Sequence, residues 1–249
     1  MAMSRVVIVT GGASGIGRAT CLKFAKKGDR VVVADYNEEN GQATVDMIHA
    51  EAGEAIFVKT DVSKYEEVEA LVEKAVEVFG TIDVMFNNAG TGIQGPLLEQ
   101  KLEDYHRVIG VNQHGVVHGI LAAGQKMRDL GVKGVIINTA SVFGYLSNRG
   151  TFAYQVSKGA VRMATQSAAL ELAKYGIRVV GIAPGAVDTP IIQGYKDLGL
   201  TENLKRGQMR KELIQPEAIA NAVYLLTLEE ADVINGSIVM LDDGYAEFK

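Results

Sequence analysis

Seven short runs rich in β-branched residues, separated by longer stretches of helical periodicity, constrain this chain more than any other feature. The runs are Arg5 to Thr10, Arg30 to Ala34, Ala55 to Lys59, Ile82 to Phe86, Gly134 to Thr139, Arg178 to Ile182 and Ser237 to Leu241. They are continuously apolar rather than alternating, as expected of strands buried on both faces in a parallel sheet covered by helices. About six helices fill the intervals. No linker, low-complexity tract or internal repeat divides the sequence. The expectation is an α/β fold: one doubly wound, Rossmann-like domain over residues 1–249 with a seven-stranded parallel sheet. Pro96 and Pro184 fall after strands and Pro216 at a helix start, with none inside a strand.

The 28 glycines and only four prolines in 249 residues fit many tight turns between regular elements. With 25 basic and 30 acidic side chains the net charge is −5, so no overall positive field invites nucleic acid or an anionic membrane. Cys21 is the single cysteine and cannot form an intrachain disulfide. The apolar run Val6 to Val9 is too short for a signal-peptide core, and no run of 18 apolar residues occurs. The chain reads as cytoplasmic.

Directly after the first strand comes Thr10-Gly11-Gly12-Ala13-Ser14-Gly15-Ile16-Gly17, leading into a helix. Such a turn aims backbone N–H groups and a helix N-terminus at a pyrophosphate, whose approach a Cβ would block. The second strand ends in Asp35, eighteen residues beyond Gly17, where a carboxylate can accept from the adenosine ribose hydroxyls. It can also cap the following helix. A 2′-phosphate against Asp35 would cost on the order of 1–4 kcal/mol, and Ser14, Tyr36 and Asn37 supply no compensating base, so the cofactor expected is NAD. Asp61-Val62 follows the third strand and Asn87-Asn88-Ala89-Gly90 the fourth, both at the carboxyl edge where ligands bind. Asp61 can accept from an adenine amino group or cap the next helix, and Asn88 can tie neighbouring strands together.

Tyr154-Gln155-Val156-Ser157-Lys158 places a phenol and an ammonium on one helix face. A free tyrosine, with a pKa of about 10, is only about 0.1% ionised at pH 7, and bringing it near 7 takes roughly 4 kcal/mol. A nearby ammonium plus a positive nicotinamide in a poorly hydrated cleft can supply that. Ser141 lies thirteen residues upstream, just after the fifth strand, and Asn112 lies on the helix before that strand.

Together with Thr10 to Gly17, Asn87 to Gly90 and Pro184-Gly185-Ala186-Val187-Asp188-Thr189, these residues resemble, in order and spacing, the short-chain dehydrogenase/reductase family over nearly the whole chain. The resemblance implies that Tyr154 is the acid/base and that Ser141 holds the substrate oxygen. It implies further that Lys158 binds the nicotinamide ribose and lowers the tyrosine pKa, and that Asn112 maintains a proton-relay water. Thr189 would hold the carboxamide, and Asn88, Ala89 and Gly90 would border the cofactor. Pro184, Gly185 and Val187 belong to the same cofactor-binding set. Asp242-Asp243-Gly244 departs from the family's frequent Asp-Gly-Gly, which puts the local turn and oligomer contacts in question, not the chemistry.

His114 and His118 are four apart, but Gly115 stands where a zinc-protease helix needs Glu and no third ligand is suggested, so no metal is expected. Cys21 reads as a small buried hydrophobe, and Lys205, Arg206, Arg210 and Lys211 as a solvated helix face. Phe143, Tyr145, Leu146, Ile191, Ile192 and Tyr195 suggest a partly apolar pocket for a small secondary alcohol or ketone, with the last three in a stretch long enough to form a lid. Arg149 and Lys196 leave a carboxylate substrate open. An acyl-thioester reductase and a non-catalytic NAD-binding regulatory protein are the alternatives; Asp35 speaks against the first and the complete Asn112, Ser141, Tyr154 and Lys158 set against the second. Apolar residues on more than one side of the helix after Tyr154 (Val161, Met163, Ala164, Ala168, Ala169, Leu170, Leu172) predict a second covered surface, and the resemblance implies a homotetramer.

Overall fold

A computed structural model describes residues 4–197, 199 and 201–247. The strands are β1 (Val6–Thr10), β2 (Arg30–Asp35), β3 (Ala55–Lys59), β4 (Val84–Asn87), β5 (Val135–Thr139), β6 (Arg178–Pro184) and β7 (Ile238–Leu241). They form one sheet in the order β3-β2-β1-β4-β5-β6-β7, every neighbouring pair parallel. The order reverses between β1 and β4, which opens a crevice at their carboxyl ends.

The connecting helices are α1 (Gly15–Lys26), α2 (Glu38–Ala50), α3 (Tyr65–Phe79), α4 (Leu102–Ile109), α5 (Gly115–Leu130), α6 (Phe152–Leu172), α7 (Gln193–Asp197), α8 (Thr201–Arg206) and α9 (Pro216–Leu226). Alternate residues of one strand serve opposite cores. Val6 and Ile8 of β1 face a core shared with Val68, Leu71 and Ala75 of α3, Ile120 of α5 and Val161 of α6. Val7 and Val9 face Phe24 of α1, Val45 and Ile48 of α2, and Ile219 and Val223 of α9. Because both faces are buried, the strands must be apolar throughout, which is why their runs are continuous in the sequence. Local chemistry sets the ends: α3 and α5 stop at Gly80 (φ 82°) and Gly131 (φ 67°) in the left-handed conformation, and Asn37 caps α2 by accepting from Asn40 N–H.

Three expectations need correction. β4 begins two residues later than Ile82 and runs on to Asn87, which pairs with Asn138. Pro184 is the last residue of β6 rather than a residue after it; it lies beyond the final β5–β6 pairing, Thr139 with Ile182, so its missing N–H leaves no gap in that ladder. Additional short helices, α4, α7 and α8, exceed the six inferred. Among the described residues no helix is long and apolar enough to cross a membrane.

Candidate active site

The glycine turn after β1 closes tightly. Gly11 (φ 68°) and Gly15 (φ 49°) take the left-handed backbone, and a methyl group on Gly17 would overlap the Gly11 carbonyl, while one on Gly15 would lie 3.0 Å from Thr189 Cγ2. The turn thus forms a cradle that side chains would fill, with the start of α1, Ser14 to Gly17, presenting its unpaired N–H groups to the sheet edge. Ile16 packs into the apolar face beneath.

Asp35 does not cap α2. Its carboxylate accepts from Ala13 N–H at 3.1 Å and from Asn37 N–H at 3.0 Å, tying the end of β2 to the glycine turn. Asp61 does not cap α3, whose N-cap is Lys64: it accepts from Ser63 N–H (3.0 Å) and Ser63 Oγ (2.7 Å) in the turn before the helix and lies 3.6 Å from Lys64 Nζ. Partial burial would raise its carboxyl, but those bonds and the lysine hold it below the ordinary carboxylate value. Val62 is buried, and its carbonyl is 2.9 Å from His118 Nδ1, which gives that histidine a structural partner. Thr10 is a hub between β1 and β4: its Oγ1 accepts from Asn88 N–H (2.9 Å) and Ala89 N–H (3.1 Å), while Asn88 Nδ2 donates to the Thr10 carbonyl (3.1 Å). Asn88 is therefore a strand tie.

Asn112 sits not in an ordinary helix but in a π-helical turn, Gly110–His114, that joins α4 to α5. Such wider turns re-aim a helix and occur often at functional sites. The Asn112 side chain is fully buried; it accepts from Thr91 N–H at 2.8 Å and donates to the Thr91 carbonyl (2.9 Å) and Ser157 Oγ (3.1 Å). It fixes the loop after β4, where a methyl on Gly90 would lie 3.6 Å from Asn112 Oδ1 and 3.9 Å from Lys158 Nζ.

Tyr154 and Lys158 share one face of α6, with Lys158 Nζ 5.6 Å from the Tyr154 ring centroid. Lys158 is 2% exposed and donates to the Thr139 carbonyl at 2.6 Å. Burial pushes its ammonium down to about 8. Burial likewise pushes the Tyr154 phenol above its usual value; a hydrogen bond with Ser141 opposes this and the nearby Tyr195 adds to it. The chain's own groups thus leave Tyr154 protonated at neutral pH, because loss of hydration outweighs the Ser141 bond. Ser141 caps a short 3₁₀ turn, Val142–Gly144, by accepting from Phe143 N–H at 3.2 Å. With one lone pair so occupied, its hydroxyl proton is free to point at the tyrosine oxygen.

After β6, Gly185 passes so close to Asp242 that a methyl would lie 3.0 Å from its Cα. Val187 is buried and bridges to Ile214, and Thr189 faces the glycine turn at Gly15. The structure therefore brings Ser141, Tyr154, Lys158 and Gly90 together, with the glycine turn, Asp35 and Pro184 to Thr189 along the same edge. The residues around them are sorted less evenly. Ile191 lies near Tyr154 across Gly92, whereas Ile192 is buried with Ala186 and Leu204. The Tyr145 ring is covered by the Arg162 guanidinium, 3.5 Å from its centroid. Lys196 pairs with Asp188 at 2.6 Å, so its ammonium already meets one carboxylate of the chain. Thr91, Thr139 and Tyr245 act around the site without being legible in the sequence, the two threonines through backbone hydrogen bonds that residue spacing does not reveal.

A family model described as short chain dehydrogenase matches residues 5–197. The chain is similar to glucose 1-dehydrogenase 2 of Bacillus subtilis, 37% identical over 243 residues that cover 96% of this chain and 94% of that protein. It is 34% identical to a cyclopentanol dehydrogenase of Comamonas over 242 residues, covering 97% and 96%. The crystal structure of levodione reductase superposes with a TM-score of 0.94 at 33% identity, covering 98% of each chain. A family model spanning most of the sequence, with relatives this similar over nearly their full lengths, makes the chain a member of the short-chain dehydrogenase/reductase family.

Proposed function

We propose that the protein is an NAD-dependent oxidoreductase that transfers a hydride between nicotinamide and a small secondary alcohol or ketone, in the cytoplasm and as a homotetramer. The observation that carries this reading is the grouping of Ser141, Tyr154 and Lys158 at the carboxyl edge beside the point where the strand order reverses. The glycine cradle from Gly11 to Gly17, with Asp35 at the end of β2, fits a dinucleotide without a 2′-phosphate. Asp61, Val62, Asn88, Ala89 and Gly90 would continue that site along the edge, and Pro184, Gly185, Val187 and Thr189 would close it beside the nicotinamide. Bound nicotinamide supplies the hydride acceptor or donor and a positive charge near the phenol.

In this reading Ser141 Oγ, oriented by Phe143 N–H, donates to the substrate oxygen and fixes it against Tyr154. The Tyr154 oxygen takes the hydroxyl proton during alcohol oxidation and returns one during ketone reduction. Lys158 holds the ribose with its remaining donors and adds its charge to that which brings the phenol down. Asn112, by clamping Thr91, shapes the path by which that proton reaches solvent. The named activities of cyclopentanol dehydrogenase and its relatives favour the alcohol and ketone class, and the groove between α5 and α6, lined by Leu121, Ala164, Ala168 and Leu172, with Leu170 exposed nearby, favours helix-to-helix assembly. The test is the purified protein with NAD and a panel of secondary alcohols, followed by absorbance of the reduced nicotinamide. Turnover of small secondary alcohols is expected; a flat response across the panel despite tight NAD binding overturns the reading.

A further inference from the structure

The stretch Asp242 to Tyr245, which contains the Asp242-Asp243-Gly244 departure from the family pattern, forms a turn clamped onto the segment that follows α8. Asp243 adopts a left-handed backbone (φ 50°) that glycine would tolerate better. Its carboxylate compensates by accepting from Arg210 N–H (2.8 Å) and Arg210 Nε (2.9 Å), and its carbonyl accepts from Met209 N–H (2.9 Å). Asp242 is buried and accepts from Gly244 N–H (3.2 Å) and Ala246 N–H (2.8 Å). These bonds seat the Tyr245 ring, 5% exposed, flat against Gly207, where a methyl group would overlap it.

The other side of that ring meets the chemistry. Tyr245 contacts Phe143 edge to face, with centroids 6.1 Å apart and planes at 86°, and Phe143 N–H is the donor that orients Ser141 Oγ. The series Gly207, Tyr245, Phe143, Ser141, Tyr154 is thus continuous, and it runs from the end of α8 to the reacting oxygen.

We propose that Tyr245 is a positioning residue: through the Phe143 ring it holds Ser141 in register with Tyr154. The inference rests on the oxidoreductase reading for its catalytic consequence, but the packing it invokes stands apart from any substrate. A ring this well enclosed transmits displacement because close-packed interiors do not absorb it locally. Misplacing a reacting group by about 1 Å can lower a rate on the order of a hundredfold.

The experiment compares Tyr245→Ala, Tyr245→Leu and Gly207→Ala with wild type in rate and pH profile. Tyr245→Ala is expected to lower kcat/KM for a cyclopentanol-sized alcohol by about 10-fold or more, within the loss that a misplacement of about 1 Å can cause. The pH at which alcohol oxidation rises should move upward, because a loosened Ser141 no longer helps lower the tyrosine. Gly207→Ala, which displaces the ring, should reproduce both effects, and Tyr245→Leu should give a milder form if the alanine variant does not fold. A lowered rate with an unmoved pH profile would show a merely structural role and overturn the proposal. If wild type turns over none of the alcohols, the oxidoreductase reading fails, and crystal structures of Tyr245→Ala or Tyr245→Leu decide this one separately: a displaced Phe143 and a rotated Ser141 support it, and unmoved positions refute it.

Discussion

Lys158 Nζ donates to the Thr139 carbonyl at 2.6 Å in a place where the lysine is 2% exposed and burial alone sets its charge. A lysine that falls from 10.5 to about 8 on folding carries a burden of roughly 3 kcal/mol when it is protonated in both states. The sign follows from linkage: between pH 8 and 10.5 the unfolded chain binds more protons, so the folded state gains stability as pH rises through that window, and below it the burden is constant. Lys158→Met should therefore be more stable than wild type at pH 7 by about 1–2 kcal/mol, once the lost Thr139 bond is counted. Urea unfolding without added nucleotide checks this. The advantage must shrink as pH approaches 10; an advantage independent of pH would contradict the argument.

Tyr154→Phe should retain NAD affinity and lose turnover by roughly 10²–10⁴-fold, the range for removal of a general acid/base. Cofactor titration by fluorescence alongside steady-state kinetics separates the two. Retained turnover would remove Tyr154 from the chemistry.

Asp35→Ala combined with Tyr36→Arg should shift preference from NAD toward NADP, because the pair exchanges a carboxylate for a guanidinium that can grip a 2′-phosphate. Tyr36 is 76% exposed, so the replacement disturbs no core. Part of the gain will be offset, since Ala13 N–H and Asn37 N–H lose their shared acceptor. Relative kcat/KM for the two dinucleotides measures the change, and a wild-type enzyme already favouring NADP would show that Asp35 is misread.

Sedimentation at micromolar concentration should give a species near four times the 26.7 kDa chain mass. Met163 and Leu170 on α6 are 64% and 82% exposed, a large apolar surface for one isolated helix. Leu170→Glu should drive the equilibrium toward smaller species. A wild-type protein sedimenting as a single chain would refute assembly through this face.

What the sequence disclosed tracks how local each signal is. Strand cores could be read because burial on both faces demands unbroken apolar runs, and Tyr154 with Lys158 because helical spacing alone juxtaposes them. Asp35 was legible as an end-of-strand carboxylate, but its grip on Ala13 was not, since that bond joins backbone to side chain across 22 positions. The π-turn around Asn112 escaped because one wider turn between two helices leaves no mark on so short a stretch of helical periodicity. Tyr245 escaped for a related reason: its neighbours Gly207 and Phe143 are distant in sequence, and nothing in their types announces the contact.

The all-parallel order has a kinetic corollary. The shortest separation across any ladder is twenty-four residues, as between Val6 and Arg30, and the central pairing of Val7 with Val84 spans seventy-seven. No hairpin can seed this sheet, so a helix must form and dock before each new strand gains a partner, and loop closure precedes every reward. On a ribosome, β1 waits beside β2 and β3 with its other edge bare until β4 emerges. The segment Val6 to Val9 is apolar throughout, which makes that interval a time when the nascent chain is prone to pair with the wrong neighbour.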